Sequence, residues 1–116
     1  MKYLVILNDP PYGSERGYNG LRLAINLLRT YEELFLTLFL MGDAVICGKK
    51  GQTTPQGYYN IEKMLKAVTI KSPVLLCGTC MDARGITNEE LAEGCLRSTL
   101  DELTRLAYEA DKVIVF

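Results

Sequence analysis

Four short apolar runs constrain this chain most: Tyr3–Leu7, Leu34–Met41 (broken only by Thr37), Val74–Cys77 and Val113–Phe116. A strand with one wet face alternates polar and apolar side chains, whereas a strand covered on both faces reads as a continuous aliphatic run. The segments between the runs carry helical periodicity. Leu21, Ala24, Ile25 and Leu28 fall on one face with Arg22, Asn26 and Arg29 opposite, and Ser14 is placed to cap this helix. Ile61, Met64, Leu65 and Val68 mark a second helix, and Leu100, Leu103, Ala107 and Ala110 the stripe of a last one. Thr87–Glu90 and Thr99–Glu102 both match the capping-box pattern, and Cys95–Arg97 reads as a short edge strand. Strands of this kind alternating with helices imply an α/β protein. The expectation is one domain spanning residues 1–116, with three α/β/α layers around a mostly parallel sheet of about five strands.

With 116 residues there is enough chain for one hydrophobic core and no more. Thirteen basic against fourteen acidic residues, net charge −1, argue against a nucleic-acid surface. Neither Tyr3–Leu7 nor Leu34–Met41 approaches the roughly 20 apolar residues a membrane span takes. The first run also lacks the length and small-residue cleavage site of a secretory signal. The expected location is therefore the cytoplasm, with no membrane partner and with Cys47, Cys77, Cys80 and Cys95 as free thiols.

Right-handed crossovers place the carboxyl ends of parallel strands on one rim, where ligands and chemistry gather. Asn8–Gly13, Met41–Asp43 and Cys77–Arg84 all begin at such ends. Gly48–Gly57, polar and without apolar period, is the longest loop and a candidate cover. Within the third rim segment, Cys77-Gly78-Thr79-Cys80 sets two thiols three residues apart. The chain has no histidine, so imidazole cannot activate either of them. Buried cysteine can act simply as a small hydrophobe, the ordinary reading of Cys47 and Cys95. A structural zinc would need all four cysteines to converge, because only one C-x-x-C pair exists. Neither metal nor cofactor is expected. Residues three apart in a tight turn lie within about 7 Å, compatible with the roughly 4.4–6.8 Å between Cα atoms of a disulfide. A dithiol is therefore feasible, although no proline follows Pro73 to play the facing role of the thioredoxin fold. Neither G-x-x-x-x-G-K-[ST] nor the five-residue Cys–Arg spacing of a tyrosine-phosphatase cradle occurs. Asp43, Asp82 and Arg84 share the rim. Arg84 is a candidate to hold a thiolate, or else to pair with Asp82 in the turn.

Read in order, several segments resemble one family. They are Pro11–Ser14 after the first strand, Leu38–Val45 around the second, and Gly57–Ile61 with Met64-Leu65 at the next helix. Cys77–Cys80 with Asp82 and Arg84-Gly85, then Ala110–Val113 with Phe116, complete the pattern. The chain is similar over nearly its whole length to the TusD-related DsrE/DsrF-like sulfur-relay family, in its small YchN-like branch. The resemblance implies the three-layer fold, a homo-oligomer (trimer or hexamer), and sulfur donor and acceptor proteins as partners. It also implies that Cys77 carries sulfane sulfur as a persulfide, with Cys80 as resolving or auxiliary thiol and Tyr12, Ser14, Asp43 and Arg84 lining the site. Two alternatives stand beside it: a Cys77–Cys80 redox dithiol, and a non-catalytic oligomeric binding protein.

Overall fold

Every residue from 1 to 116 is described in the computed structural model. Five strands form one sheet in the order β4-β3-β2-β1-β5, all parallel. They are β1 Lys2–Leu7, β2 Phe35–Leu40, β3 Val74–Cys77, β4 Cys95–Ser98 and β5 Lys112–Val115. The helices are α1 Arg16–Thr30, α2 Ile61–Thr69, α3 Gly78–Ala83 and α4 Leu100–Glu109. From β1 to β4 the chain steps one way across the sheet, then returns past β1 to lay down β5. Right-handed connections therefore put α1 and α2 on one face and α4 on the other. Side chains agree: Leu7 meets Gly20 of α1, whereas Lys2 on the opposite face of β1 pairs with Glu109 of α4. The three-layer α/β/α architecture expected from the sequence is the one observed.

Burial explains the uninterrupted aliphatic runs of the central strands. All four residues of β3 are buried, and so are Leu4, Val5 and Leu7 of β1. The edge strand β5 departs from that reading, since Val113 is 45% and Val115 is 60% exposed. The last helix departs too. Leu103 is buried and Leu106 and Ala110 half-buried, but Leu100 and Ala107, expected in the stripe, are exposed. One helix cannot cover five strands, which accounts for the apolar strand residues left exposed on that face. The register sets Phe35, Val113, Val115 and Leu96 on the α4 face, and Phe35 and Leu96 are also exposed, at 73% and 52%.

Local signals were mostly realised. Thr99 caps α4 by accepting from the Glu102 amide, and Asn60 caps α2 through the Lys63 amide. The Thr87/Glu90 capping box is formed and opens a single 3₁₀ turn, Asn88–Glu90. Ser14 does not cap α1. Its hydroxyl donates to Asp9 Oδ2 at 2.6 Å and its oxygen accepts only a long, 3.4 Å contact from the Arg16 amide, while Glu15 holds the N-cap position. The stretch after β2 begins as a 3₁₀ segment, Gly42–Gly48, that periodicity did not reveal. The polar stretch beyond it is pinned by Gln52, whose side chain donates to the Cys47 and Lys49 carbonyls while its amide donates to Glu62. No helix is long and apolar enough to cross a membrane.

Candidate functional site

The dithiol sits where β3 ends and α3 begins without an intervening loop. Cys77 is the last residue of β3 and the N-cap of α3, and Cys80 lies within the first turn of α3. In place of the tight turn, a helix folds directly over the strand end, which leaves Cys77 only 7% exposed. Cys80, half-buried, is the outer thiol.

Two donors and a hydroxyl converge on the Cys77 sulfur. The Cys80 thiol lies 2.7 Å away and donates to it, the Cys80 amide donates at 3.3 Å, and the Thr79 hydroxyl is in reach at 3.3 Å. Burial opposes ionisation of Cys77, but the hydrogen bonds from Cys80 and Thr79 outweigh it and hold its pKa below the ordinary thiol value. Cys80 moves the other way. Burial, and the fact that its proton is given to Cys77, raise its pKa, with the Gly42 amide and Arg84 opposing in part. The thiol that ionises more readily and its proton-bearing neighbour are therefore told apart without any imidazole.

Asp43 and Arg84 join this rim. The Arg84 guanidinium donates to Asp43 Oδ1 at 2.8 Å and to the Cys80 carbonyl at 2.9 Å. It braces α3 against the 3₁₀ segment, and its charge is felt at Cys80. Gly42 makes that junction with φ +54°, close to the Asn8 carbonyl and to Arg84. The Asp82–Arg84 turn pair does not form, because Asp82 instead holds Arg97 of β4 through two 2.8 Å bonds. Tyr12 and Ser14 lie on the neighbouring β1–α1 loop. Tyr12 accepts from the Ile61 amide and packs at a tilt against Tyr58 and Tyr59, and Ser14 is held by Asp9. No hydrogen bond links either of them to the thiols.

Cys47 and Cys95 stand apart. Burial pushes their thiols up to about 12 and about 11, and Cys47 donates to the Asp9 carbonyl. Cys95 sits at the start of β4, level with Val74, a strand's length from the Cys77 end. The four sulfurs do not converge, and no group of three His, Cys, Asp or Glu side chains is placed to hold a metal.

Thr79 and Arg97 escaped the sequence reading. A hydroxyl two residues after the N-cap is a local signal that was available. Arg97 was not legible, since only the β3–β4 register brings it to the thiols. A small alkylating reagent at neutral pH is expected to modify Cys77 first, with a rate midpoint below that of an ordinary cysteine, about 8.5. Peptide mapping checks this order: prior labelling of Cys80, or native-state labelling of Cys47 and Cys95, would contradict the assignment of the thiolate.

A five-stranded parallel α/β sheet with two thiols paired at the end of β3 defines the class: a small α/β protein with a Cys-x-x-Cys pair at its rim. The chain belongs to the DsrE/DsrF-like family, whose model matches residues 1–116. It is 47% identical to Protein YchN of Escherichia coli K12, over 99% of this chain and 98% of that protein. An uncharacterized protein of Methanocaldococcus jannaschii is 34% identical over the full length of both. The crystal structure of the E. coli ychN protein superposes with a TM-score of 0.95 at 46% identity, covering 99% of this chain and 98% of that one. A protein of unknown function from Methanobacterium thermoautotrophicum shares the fold at TM-score 0.80 and 15% identity, covering 100% of both chains.

Proposed function

We propose that this chain is a cytoplasmic sulfur-relay protein that carries sulfane sulfur as a persulfide on Cys77 and passes it to a partner protein. Family membership supports the relay role. The observation that carries the step is the convergence of the Cys80 thiol, the Cys80 amide and Thr79 on the Cys77 sulfur. The Cys77 thiolate attacks the outer sulfur of a donor persulfide, the donor S–S bond breaks, and the donor leaves as a thiolate. The outer sulfur, with its proton, is then bonded to Cys77, and an acceptor thiolate removes it by the same displacement. No external base is needed. Incubation with a cysteine desulfurase and cysteine, followed by intact mass under non-reducing conditions, tests the proposal. A gain of one sulfur is expected, and no gain would overturn the carrier reading.

One observation favours a second reading, a thiol–disulfide reductant: the two sulfurs are 2.7 Å apart. Cys77 would attack a partner disulfide, and Cys80 would then attack the Cys77 sulfur of the mixed disulfide. The partner would leave as a dithiol, two electrons richer, with Cys77 and Cys80 joined. Loss of two hydrogens on exposure to a disulfide, without sulfur gain from a donor, would favour this reading.

Self-assembly completes the proposal. The α4 face exposes Phe35, Leu96, Val113 and Val115, and burying a large apolar side chain contributes about 1.5–3 kcal/mol. That face is where copies would meet as a trimer or hexamer. Carboxylates at Val113 and Val115 together are expected to give a folded monomer. Light scattering checks this: an unchanged mass, or a wild type that is itself monomeric, would contradict the interface.

A further inference from the structure

We infer that Arg97 is the cation that sets the reactivity of Cys77, and that Asp82 moderates it as a carboxylate latch. The inference rests on the reading of Cys77 as the reactive thiol. The β3–β4 register aligns Cys77 with Ser98 and Leu76 with Arg97. From that position the Arg97 side chain runs along the sheet edge and lays its guanidinium on Gly78, the residue next to Cys77. The approach is so close that a Cβ at Gly78 would sit 2.8 Å from Arg97 Nε and 2.9 Å from Cζ. Two 2.8 Å bonds to Asp82 fix the guanidinium there. A bidentate carboxylate orients the planar cation far better than a single contact would.

The other charged and titratable groups around the thiol leave this role to Arg97. Arg84, tied to Asp43 and to the Cys80 carbonyl, acts on Cys80 rather than on Cys77. On α3, Cys80 serves as the proton donor to Cys77. On α4, Glu102 accepts from the Ser98 hydroxyl, in the strand position level with Cys77. It adds a negative charge on that side that an anionic sulfur has to overcome. The bonds to Asp82 are the main cause that raises the Arg97 pKa, with a smaller upward pull from Cys77 that places the thiol within electrostatic reach. The Arg97 side chain is 39% and that of Asp82 61% exposed. Water screens the pair, so the effect is one of tuning rather than of an all-or-none switch.

The latch makes the two partners act with opposite sign. Removing the cation disfavours the thiolate, whereas neutralising Asp82 removes an anion and leaves the Arg97 charge uncompensated, favouring it. A merely structural salt bridge would move both variants the same way, because either substitution loosens the same contact. The test is the pH dependence of Cys77 alkylation by iodoacetamide in the whole protein, read by fragment-ion mapping at limiting reagent, for wild type, Arg97→Gln, Arg97→Lys and Asp82→Asn. At neutral pH Arg97→Gln is expected to slow Cys77 by roughly three- to tenfold, the range a partly screened charge gives. Its rate midpoint should move up. Arg97→Lys should stay near wild type, and Asp82→Asn should move the midpoint down. Midpoints of Arg97→Gln and Asp82→Asn that move together, or that do not move at all, would overturn the inference. If Arg97→Gln fails to fold, the Asp82→Asn direction alone decides. Because the readout is alkylation, a shifted midpoint in a protein that takes up no sulfur would uphold this inference while removing the carrier reading.

Discussion

Cys77→Ser is expected to abolish sulfur loading while leaving fold and assembly intact. The serine hydroxyl replaces the sulfur at the centre of the three contacts from Cys80 and Thr79, so the local hydrogen bonds survive. What disappears is the nucleophile, since a hydroxyl is not ionised near neutral pH. Cys80→Ser should behave differently. It removes the thiol that donates to Cys77 at 2.7 Å, which raises the Cys77 pKa and slows loading, but the acceptor sulfur remains. It also removes the only thiol near enough to attack the loaded Cys77. In the wild type that attack would expel sulfide and leave a Cys77–Cys80 disulfide, so the persulfide should last longer in Cys80→Ser. Intact mass over time for the three proteins checks both statements. Loading that persists in Cys77→Ser would remove Cys77 from the role.

Gly78→Ala is expected to destabilise the fold by about 1–3 kcal/mol, the usual cost of forcing a methyl into a filled space. The new Cβ would stand 2.9 Å from the Ser98 carbonyl oxygen as well as against the Arg97 guanidinium. The guanidinium can swing away, but the carbonyl belongs to β4, which pairs only with β3 at the sheet edge. The edge strand must therefore shift, and the Asp82–Arg97 contact goes with it. Because β4 pairs from Val74 to Cys77, the strain reaches the thiol itself. Denaturant unfolding of the variant beside wild type measures the loss, and an unchanged midpoint would show that the edge accommodates the methyl freely.

Most of the fold was written in local pattern. Aliphatic runs in β1, β2 and β3 and helical spacing in α1 and α2 arise from burial on both sides of a parallel sheet, and burial is what hydrophobic pattern reports. β5 carries the same pattern for another reason. Its valines remain exposed in the single chain, and a sequence cannot say whether an apolar residue faces its own core or a second molecule. The 3₁₀ segment Gly42–Gly48 had no periodic signature, since its buried residues Ala44, Val45, Cys47 and Gly48 follow neither helical nor strand spacing.

The site was legible to the same depth. The Cys77–Cys80 spacing and the strand end placed both thiols, and Asp43 and Arg84 proved to belong to the same rim. Side-chain partners across strands were not readable. Asp82 and Arg84 are near in sequence and were natural partners, yet strand pairing offers Asp82 the better geometry with Arg97, fifteen residues away. Tyr12, a candidate for the site, is drawn toward α2 by the Ile61 amide and by its tyrosine neighbours. Such choices depend on competition among acceptors, which no local window of sequence contains.

Locating the accepted sulfur within the chain decides whether it resides on Cys77. Wild-type protein loaded by a cysteine desulfurase would be capped with an alkylating reagent, digested without reductant, and the peptide bearing Cys77 and Cys80 fragmented between the two residues. The additional sulfur is expected on Cys77, with Cys47 and Cys95 unmodified. Sulfur found on Cys80, on either buried cysteine, or nowhere in the chain would contradict this assignment.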